Sequence, residues 1–380
     1  MAKDLVLFGI DKLLTQSPDW KHKKIGLLTN DGALTSTGVK SRIALIKKGF
    51  NIVRLFAPEH GISSKGKDGA FIPYQTDEIT NLPVFSLYQE IQSVNDENIA
   101  DLDVLLIDLP DVGVRFYTYL WTLTYFIESA ARLNKKIYIL DRPNPLGGNT
   151  FRSEGPAMSL ECRSFVGRFD IPITHFCTLG ELANYFNHIN NWGAEITIVC
   201  CDWQRKQTFL NWKRPWVYPS PALVNFNAVL LYPGLCFLEA TNIGVGRNSQ
   251  DSFQWIGGKE FDLRSFEFHF PGISMSQKTL ELKNVQIEGI SFLAERDFFE
   301  PVKFGLSLLF ELINAYTSSF KWEPYPTQAN PSGENHLDLL LGVYSSTSIF
   351  ELDRPSFQNK INRLLKTDWD EIIKPFLLYD

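Results

Sequence analysis

The chain has 380 residues, is 44% apolar and carries a formal net charge of −6. That length exceeds one ordinary core and points to two domains, while the apolar share excludes a disordered chain. The acidic balance excludes the basic face that nucleic acid requires. Aromatic residues make up 13%, with nine Trp and thirteen Tyr; most belong in the core, although aromatic faces are also what sugar rings stack on.

Elements follow in chain order. The N-terminus, "MAKDLVLFGIDKLL", has Asp4 before a short apolar run, too short and too acidic for a signal peptide. No apolar stretch is long enough to span a membrane. The chain therefore reads as cytoplasmic, with a periplasmic or secreted protein as the alternative if a leader has been removed. Strands are expected at 24–30, 51–56, 82–88, 102–109, 136–140 and 195–200, and helices at 36–49, 119–134 and 178–190. Thr178 followed by Glu181 makes a capping box at the start of the last of these helices. The run "LDVLLIDL" is apolar throughout, as in a strand buried on both faces of a parallel sheet. This β-α-β-α order predicts a doubly wound parallel sheet.

Beyond residue 210 the pattern changes. "KRPWVYPSPAL" (213–223) is an irregular, proline-rich wrap, and a second α+β unit begins near residue 259. It is expected to hold strands at "FEFHFPGI" and "VQIEGISFLA" and two helices, "FGLSLLFELINAYTSSF" and a stretch around 356–375. The expected division is 1–258 and 259–380. The five cysteines have no metal-ligand spacing and read as buried reduced thiols.

Polar residues concentrate just after three of the expected strands: "PEHG" (58–61), "DLPDVGVRFYTY" (108–119) and "DRPNPLGG" (141–148). In open parallel sheets, ligands bind outside the carboxyl ends of the strands. All three segments are therefore expected on one cleft. Pro58 and Gly61 restrict where Glu59 and His60 point. Asp108, Asp111, Arg115 and Arg142 have plain readings as caps, surface ion pairs or turn braces; His175 and His188 read as structural. "GVGRNS" lacks the third glycine of a dinucleotide fingerprint, and there is no Walker motif, nucleophile elbow or zincin pair. A metal site built from Glu59, His60, Asp108 and Asp111 is conceivable, but no ligand spacing enforces it.

These segments carry a family resemblance. "FAPEHG", "LPVFSLY", "DLPDVGVRFYTY", "LDRPNPLGG", "EGP", "TLGELA", "WVYPSP" and "YPGLCFLEATN" occur in the order found in the NamZ-type exo-β-N-acetylmuramidases. The resemblance runs from about residue 24 to the C-terminus. It implies a Rossmann-like α/β domain, a smaller C-terminal domain and an active cleft between them. The implied activity is release of N-acetylmuramic acid from the non-reducing end of peptidoglycan fragments, so the implied partner is a small saccharide. The family's proposed catalytic glutamate falls on Glu59. His60, Asp111, Arg115, Tyr117, Arg142, Asn144 and Glu239 also match their motif positions. Departures occur at Pro110, where the family usually has glutamine, in "PEHGISSKG", and at "IGVGRNS", where an acid before Gly246-Arg247 is missing.

Glycoside hydrolysis needs a general acid and support for an oxocarbenium-like transition state. Glu59 is the candidate acid; partial burial would raise its pKa, and His60 would tune it. The second carboxylate is Asp111, Glu154 or Glu239, unless the sugar's own acetamido group serves as nucleophile. Neither route requires a metal or an organic cofactor. Three arginines, Arg115, Arg142 and Arg247, are candidates to read the lactyl carboxylate of the muramic sugar. Arg115 is favoured because Gly113 permits a sharp turn beside it.

Overall fold

The computed structural model describes residues 5–70, 74–88, 95–295, 300–327 and 330–380. Seven strands form the main sheet: β1 (Ile25–Thr29), β2 (Ile52–Ala57), β3 (Gln75–Thr76), β4 (Pro83–Ser86), β5 (Val104–Asp108), β6 (Lys136–Leu140) and β7 (Ile196–Val199). Their order is β3-β4-β2-β1-β5-β6-β7, parallel except for the short edge strand β3. Every residue of β1 and β5 is buried, because helices or loops cover both faces. The chain moves outward from β1 through β2 to β4 and then returns to place β5 on the other side of β1. The topological switch point therefore lies between β1 and β5.

The helices form where the apolar spacing put them. Tyr119–Arg132 buries ten of its residues, and Leu179–Ile189 begins at Thr178, whose hydroxyl accepts from the Glu181 N–H. The Glu181 carboxylate returns the bond to the Thr178 N–H at 2.9 Å, which completes the capping box.

The C-terminal part has a smaller antiparallel sheet ordered β8-β10-β9, with β8 at Trp255–Gly257, β9 at Ile273–Leu282 and β10 at Val285–Ala294. "FEFHFPGI" is not a strand as expected. Pro271 lacks a ladder donor and Gly272 has φ +79°, so pairing begins only at Ile273. Further on, Pro301–Ala315 is the long helix, followed by His336–Leu341, Arg354–Leu364 and Trp369–Ile373.

A helix that the sequence pattern did not reveal, Phe226–Leu235, joins the two parts. Nine of its ten residues are buried, so it carries no polar face to mark it as a helix. It crosses Pro301–Ala315 at Gly234 and Gly305. A Cβ on Gly305 would stand 2.3 Å from the Gly234 backbone, so only glycine permits this approach. One hydrophobic cluster runs from Leu28 to Ile373 and includes residues of both parts.

Candidate active site

β2 ends at Ala57, and the next residues reverse the chain within one tight turn. His60 has φ +66° and Gly61 φ +70°, two successive left-handed residues, and the Gly61 N–H donates to Pro58 O at 3.1 Å. A left-handed histidine is costly unless its side chain is held. Here Nδ1 lies 2.9 Å from Gly66 O. A carbonyl can only accept, so Nδ1 carries the proton and Nε2 is the nitrogen turned toward Asp68, 4.0 Å from its Oδ1. Glu59 is equally fixed. Its Oε1 accepts from the Gly69 N–H at 2.7 Å, and its Oε2 accepts from the Thr118 hydroxyl at 2.6 Å. Both Glu59 and His60 are more than nine-tenths buried.

They line a cavity of about 90 Å³ bordered on its other side by the C-terminal part, including Glu239, Arg247, Tyr325 and His336. Arg247 is the hub of its charges: Nε meets Glu239 and Nη1 meets Asp68. Its guanidinium also lies 4.8 Å from the Phe253 ring centre. The attraction of Glu239 and Asp68 outweighs burial and holds Arg247 well above the usual arginine pKa. Tyr325 stacks on His336 with ring centres 4.7 Å apart, and burial lowers the His336 pKa.

Of the residues expected from sequence, Glu59, His60, Tyr117, Glu239 and Arg247 share this cavity. The others lie elsewhere. Arg115 is fully buried, and its two terminal nitrogens donate to the carbonyls of Pro156, Ile171, Leu340 and Leu341. The last two are the final carbonyls of the helix His336–Leu341, where a cation is favoured by the helix dipole. Gly342 follows with φ +77°, and a Cβ there would come within 2.7 Å of Arg115 Nη2. Burial lowers the Arg115 pKa to about 10. Every donor that would have met a lactyl carboxylate is either bonded to backbone or, for Nε, buried. Asn144 braces its own loop through Leu146 N–H and Cys177 O. Glu154 caps the helix Pro301–Ala315 by accepting from Val302 and Lys303 N–H, and burial raises its pKa to about 8.

Asp111 and Arg142 border a different cavity. The three strand-end loops thus meet at two cavities rather than in a single cleft. The wall between them is the 215–223 wrap, held by the Tyr119 hydroxyl donating to Pro219 O at 2.8 Å and by Asn30 donating to that hydroxyl at 3.0 Å. Pro219 lines one cavity and Ser220 the other.

Sequence reasoning missed Asp68, Thr118, Tyr325 and His336. Asp68 lies two residues beyond "PEHGISSKG", which departs from the family pattern, so no motif pointed to it. Thr118 was legible only as part of "VRFYTY", with no sign that its hydroxyl would meet Glu59. Among the described residues there is no cluster of three or more His, Cys, Asp or Glu side chains arranged for a metal, and no helix is long and apolar enough to cross a membrane.

Family models for the N-terminal and C-terminal parts of the exo-β-N-acetylmuramidase NamZ match residues 25–227 and 230–379. The chain belongs to the NamZ family. It is 34% identical over 338 residues to the peptidoglycan β-N-acetylmuramidase NamZ of Bacillus subtilis (strain 168), covering 84% of this chain and 80% of that relative. Two crystal structures of DUF1343 family proteins from Bacteroides fragilis share the fold. One superimposes with a TM-score of 0.84 at 24% identity over the whole of both chains. The other gives 0.70, also at 24% identity, over 99% of each chain. The two NamZ segments meet between residues 227 and 230, within the helix Phe226–Leu235 that carries the N-terminal part into the C-terminal one.

Proposed function

We propose that this chain is an exo-acting glycoside hydrolase that releases N-acetylmuramic acid from the non-reducing end of peptidoglycan fragments, with Glu59 as the general acid. The observation that carries this reading is the placement of Glu59. It is a nearly buried carboxyl, fixed through both oxygens, inside a cavity that the N-terminal and C-terminal parts of a NamZ-family chain enclose together.

Glu59 gives its proton to the leaving oxygen as the glycosidic bond lengthens. Of the three expected second carboxylates, Glu239 alone lines this cavity, and Asp68 joins it there. Side-chain exposure is 29% for Asp68 and 5% for Glu239, so Asp68 is the carboxylate a bound sugar meets and Glu239 is the one that steadies Arg247. Asp68 stands beside Gly69, whose N–H holds Glu59, so a single loop sets the spacing of both acids. Its role is to support the developing positive charge, or to orient the acetamido group if the substrate supplies its own nucleophile. Among the three arginines, Arg247 is the one at the cavity, and its Nη2 is the nitrogen that neither carboxylate holds. It takes the reading of the lactyl carboxylate that sequence had given to Arg115.

The test is turnover of a chromogenic β-N-acetylmuramic acid glycoside and its N-acetylglucosamine counterpart. Release from the first and little from the second supports the reading; no turnover of either by a folded protein overturns it.

A further inference from the structure

The Glu59 carboxyl is held from two sides of the molecule. Oε2 accepts from Thr118, at the start of the helix Tyr119–Arg132, so that bond belongs to the N-terminal part alone. Oε1 accepts from the Gly69 N–H, on the loop that leaves the PEHG turn. Among the described residues, the hydrogen bonds and ion pairs of Asp68 and Gly69 reach only Glu59 and His60 on the N-terminal side. Their other partners come from the C-terminal part. Arg247 holds Asp68 through Nη1, and the Tyr325 hydroxyl donates to Asp68 Oδ2 at 3.5 Å.

Gly69 is seated against Thr327. Its φ is +62°, and a Cβ built there would stand 2.7 Å from Thr327 Cβ, 3.0 Å from Thr327 Cα and 3.1 Å from Thr327 Cγ2. The two residues are packed with no room for a methyl group between them. A glycine has little preference of its own for one backbone conformation, so contact must impose it. Thr327 is itself anchored. Its hydroxyl accepts from the Asn330 N–H at 3.0 Å, and the two backbones exchange hydrogen bonds at 3.0 and 3.2 Å. The oxygen of the side chain is thus tied to Asn330, while its carbons meet Gly69. Thr327 and Asn330 both border the cavity that holds Glu59.

We infer that Thr327 is a positioning residue for the acid: it seats Gly69, and the Gly69 N–H fixes the orientation of Glu59. The C-terminal part thereby does more than border the cavity, since it sets the geometry of a group carried by the N-terminal part. A misplacement of about 1 Å in a reacting group costs up to about 10²-fold in rate. The inference rests on the reading of Glu59 as general acid, whereas the packing of Gly69 on Thr327 does not.

The experiment compares two muramic glycosides that differ in their need for an acid. A dinitrophenolate leaves without protonation. The sugar hydroxyl released from the disaccharide of N-acetylmuramic acid and N-acetylglucosamine must be protonated as it leaves. Thr327→Gly withdraws the side chain from Gly69. It should lower kcat by about 10- to 100-fold on the disaccharide and by less than about 3-fold on the dinitrophenyl glycoside. Loss of structure would lower both alike. Gly69→Ala should show the same selective loss, because its methyl group meets Thr327. Adding Thr327→Gly to Gly69→Ala should recover part of that loss, since the methyl group gains space. Thr327→Ser keeps the bond to Asn330 and loses only the methyl group; it should show a smaller loss of the same selectivity, and it decides if Thr327→Gly fails to fold. Equal losses on both glycosides, wild-type turnover in Thr327→Gly, or no recovery in the double variant would overturn the inference. Glu59→Gln, measured alongside, separates the two readings. If it lowers kcat equally on both glycosides, Glu59 is not the acid and both readings fall. If it is selective and Thr327→Gly is not, the positioning role alone falls.

Discussion

The two cavities differ most in how their charges are settled. Around the cavity that Asp111 and Arg142 border, each arginine has its own carboxylate, and Asp111 is buried beside a neutral histidine. His175 lies 3.5 Å from Asp111, and burial holds its pKa near 3, so it offers no positive charge. In the cavity behind the PEHG turn, one arginine faces two carboxylates, and Glu59 is held by a backbone N–H and a hydroxyl, with no ion pair among the described residues. An excess of carboxylate suits a reaction whose transition state is positively charged. Both cavities are built from adjacent strand ends, yet their charges are settled in different ways.

The strongest way to break this comparison is to neutralise Glu59. Glu59→Gln keeps the shape and should reduce kcat by about 10²- to 10⁴-fold on a glycoside with a poor leaving group, with an unchanged thermal midpoint. Wild-type turnover would remove Glu59 from the chemistry. Arg115 and Arg247 sharpen the contrast next. Arg115→Met strips the donors from four buried carbonyls and should destabilise the fold by at least ~3 kcal/mol in urea unfolding, while the ratio of kcat/KM for muramic over glucosamine glycosides stays as it was. Arg247→Met should lower that ratio by an order of magnitude or more. A ratio that falls in Arg115→Met and holds in Arg247→Met would return the lactyl contact to Arg115. Thr118→Val removes one hydrogen bond from the Glu59 carboxylate and should cost about tenfold in kcat.

A further effect concerns pH at the other cavity. Burial raises the Asp111 pKa to about 7, and the Asp141 charge adds to this. The folded state then holds a proton that the unfolded chain has lost, so the Asp111 contribution declines as pH rises from about 4 through about 7. The slope is at most about 1.4 kcal/mol per pH unit. Asp111→Asn should flatten that part of the stability curve and leave the pH profile of turnover unaltered. An unchanged stability curve would show that Asp111 is ionised freely in the fold.

The sheet was legible because its signals are local. Continuous apolar runs such as Val104–Asp108 have few other fates, and the Thr178/Glu181 box marks its helix within four residues. Phe226–Leu235 was not legible as a helix, since burial on all sides erases the period that would reveal it. "FEFHFPGI" misled for the opposite reason: its alternation is strand-like, but Pro271 and Gly272 deny it a ladder.

For the site, the sequence by itself determined that Glu59 and His60 stand at a strand end within one constrained turn, because Pro58 and Gly61 act on their immediate neighbours. The motif order also determined the family. The fate of the arginines was decided only by tertiary structure. Arg115, Arg142 and Arg247 are chemically identical in the sequence, and all three stand in glycine-containing segments. What separates them is which groups arrive from far along the chain: carbonyls of Leu340 and Leu341 for Arg115, Asp108 for Arg142, and Asp68 for Arg247. The partners of a buried charge come from wherever the fold brings a backbone or a carboxylate within hydrogen-bond reach, and neighbouring residues in the sequence carry no record of that.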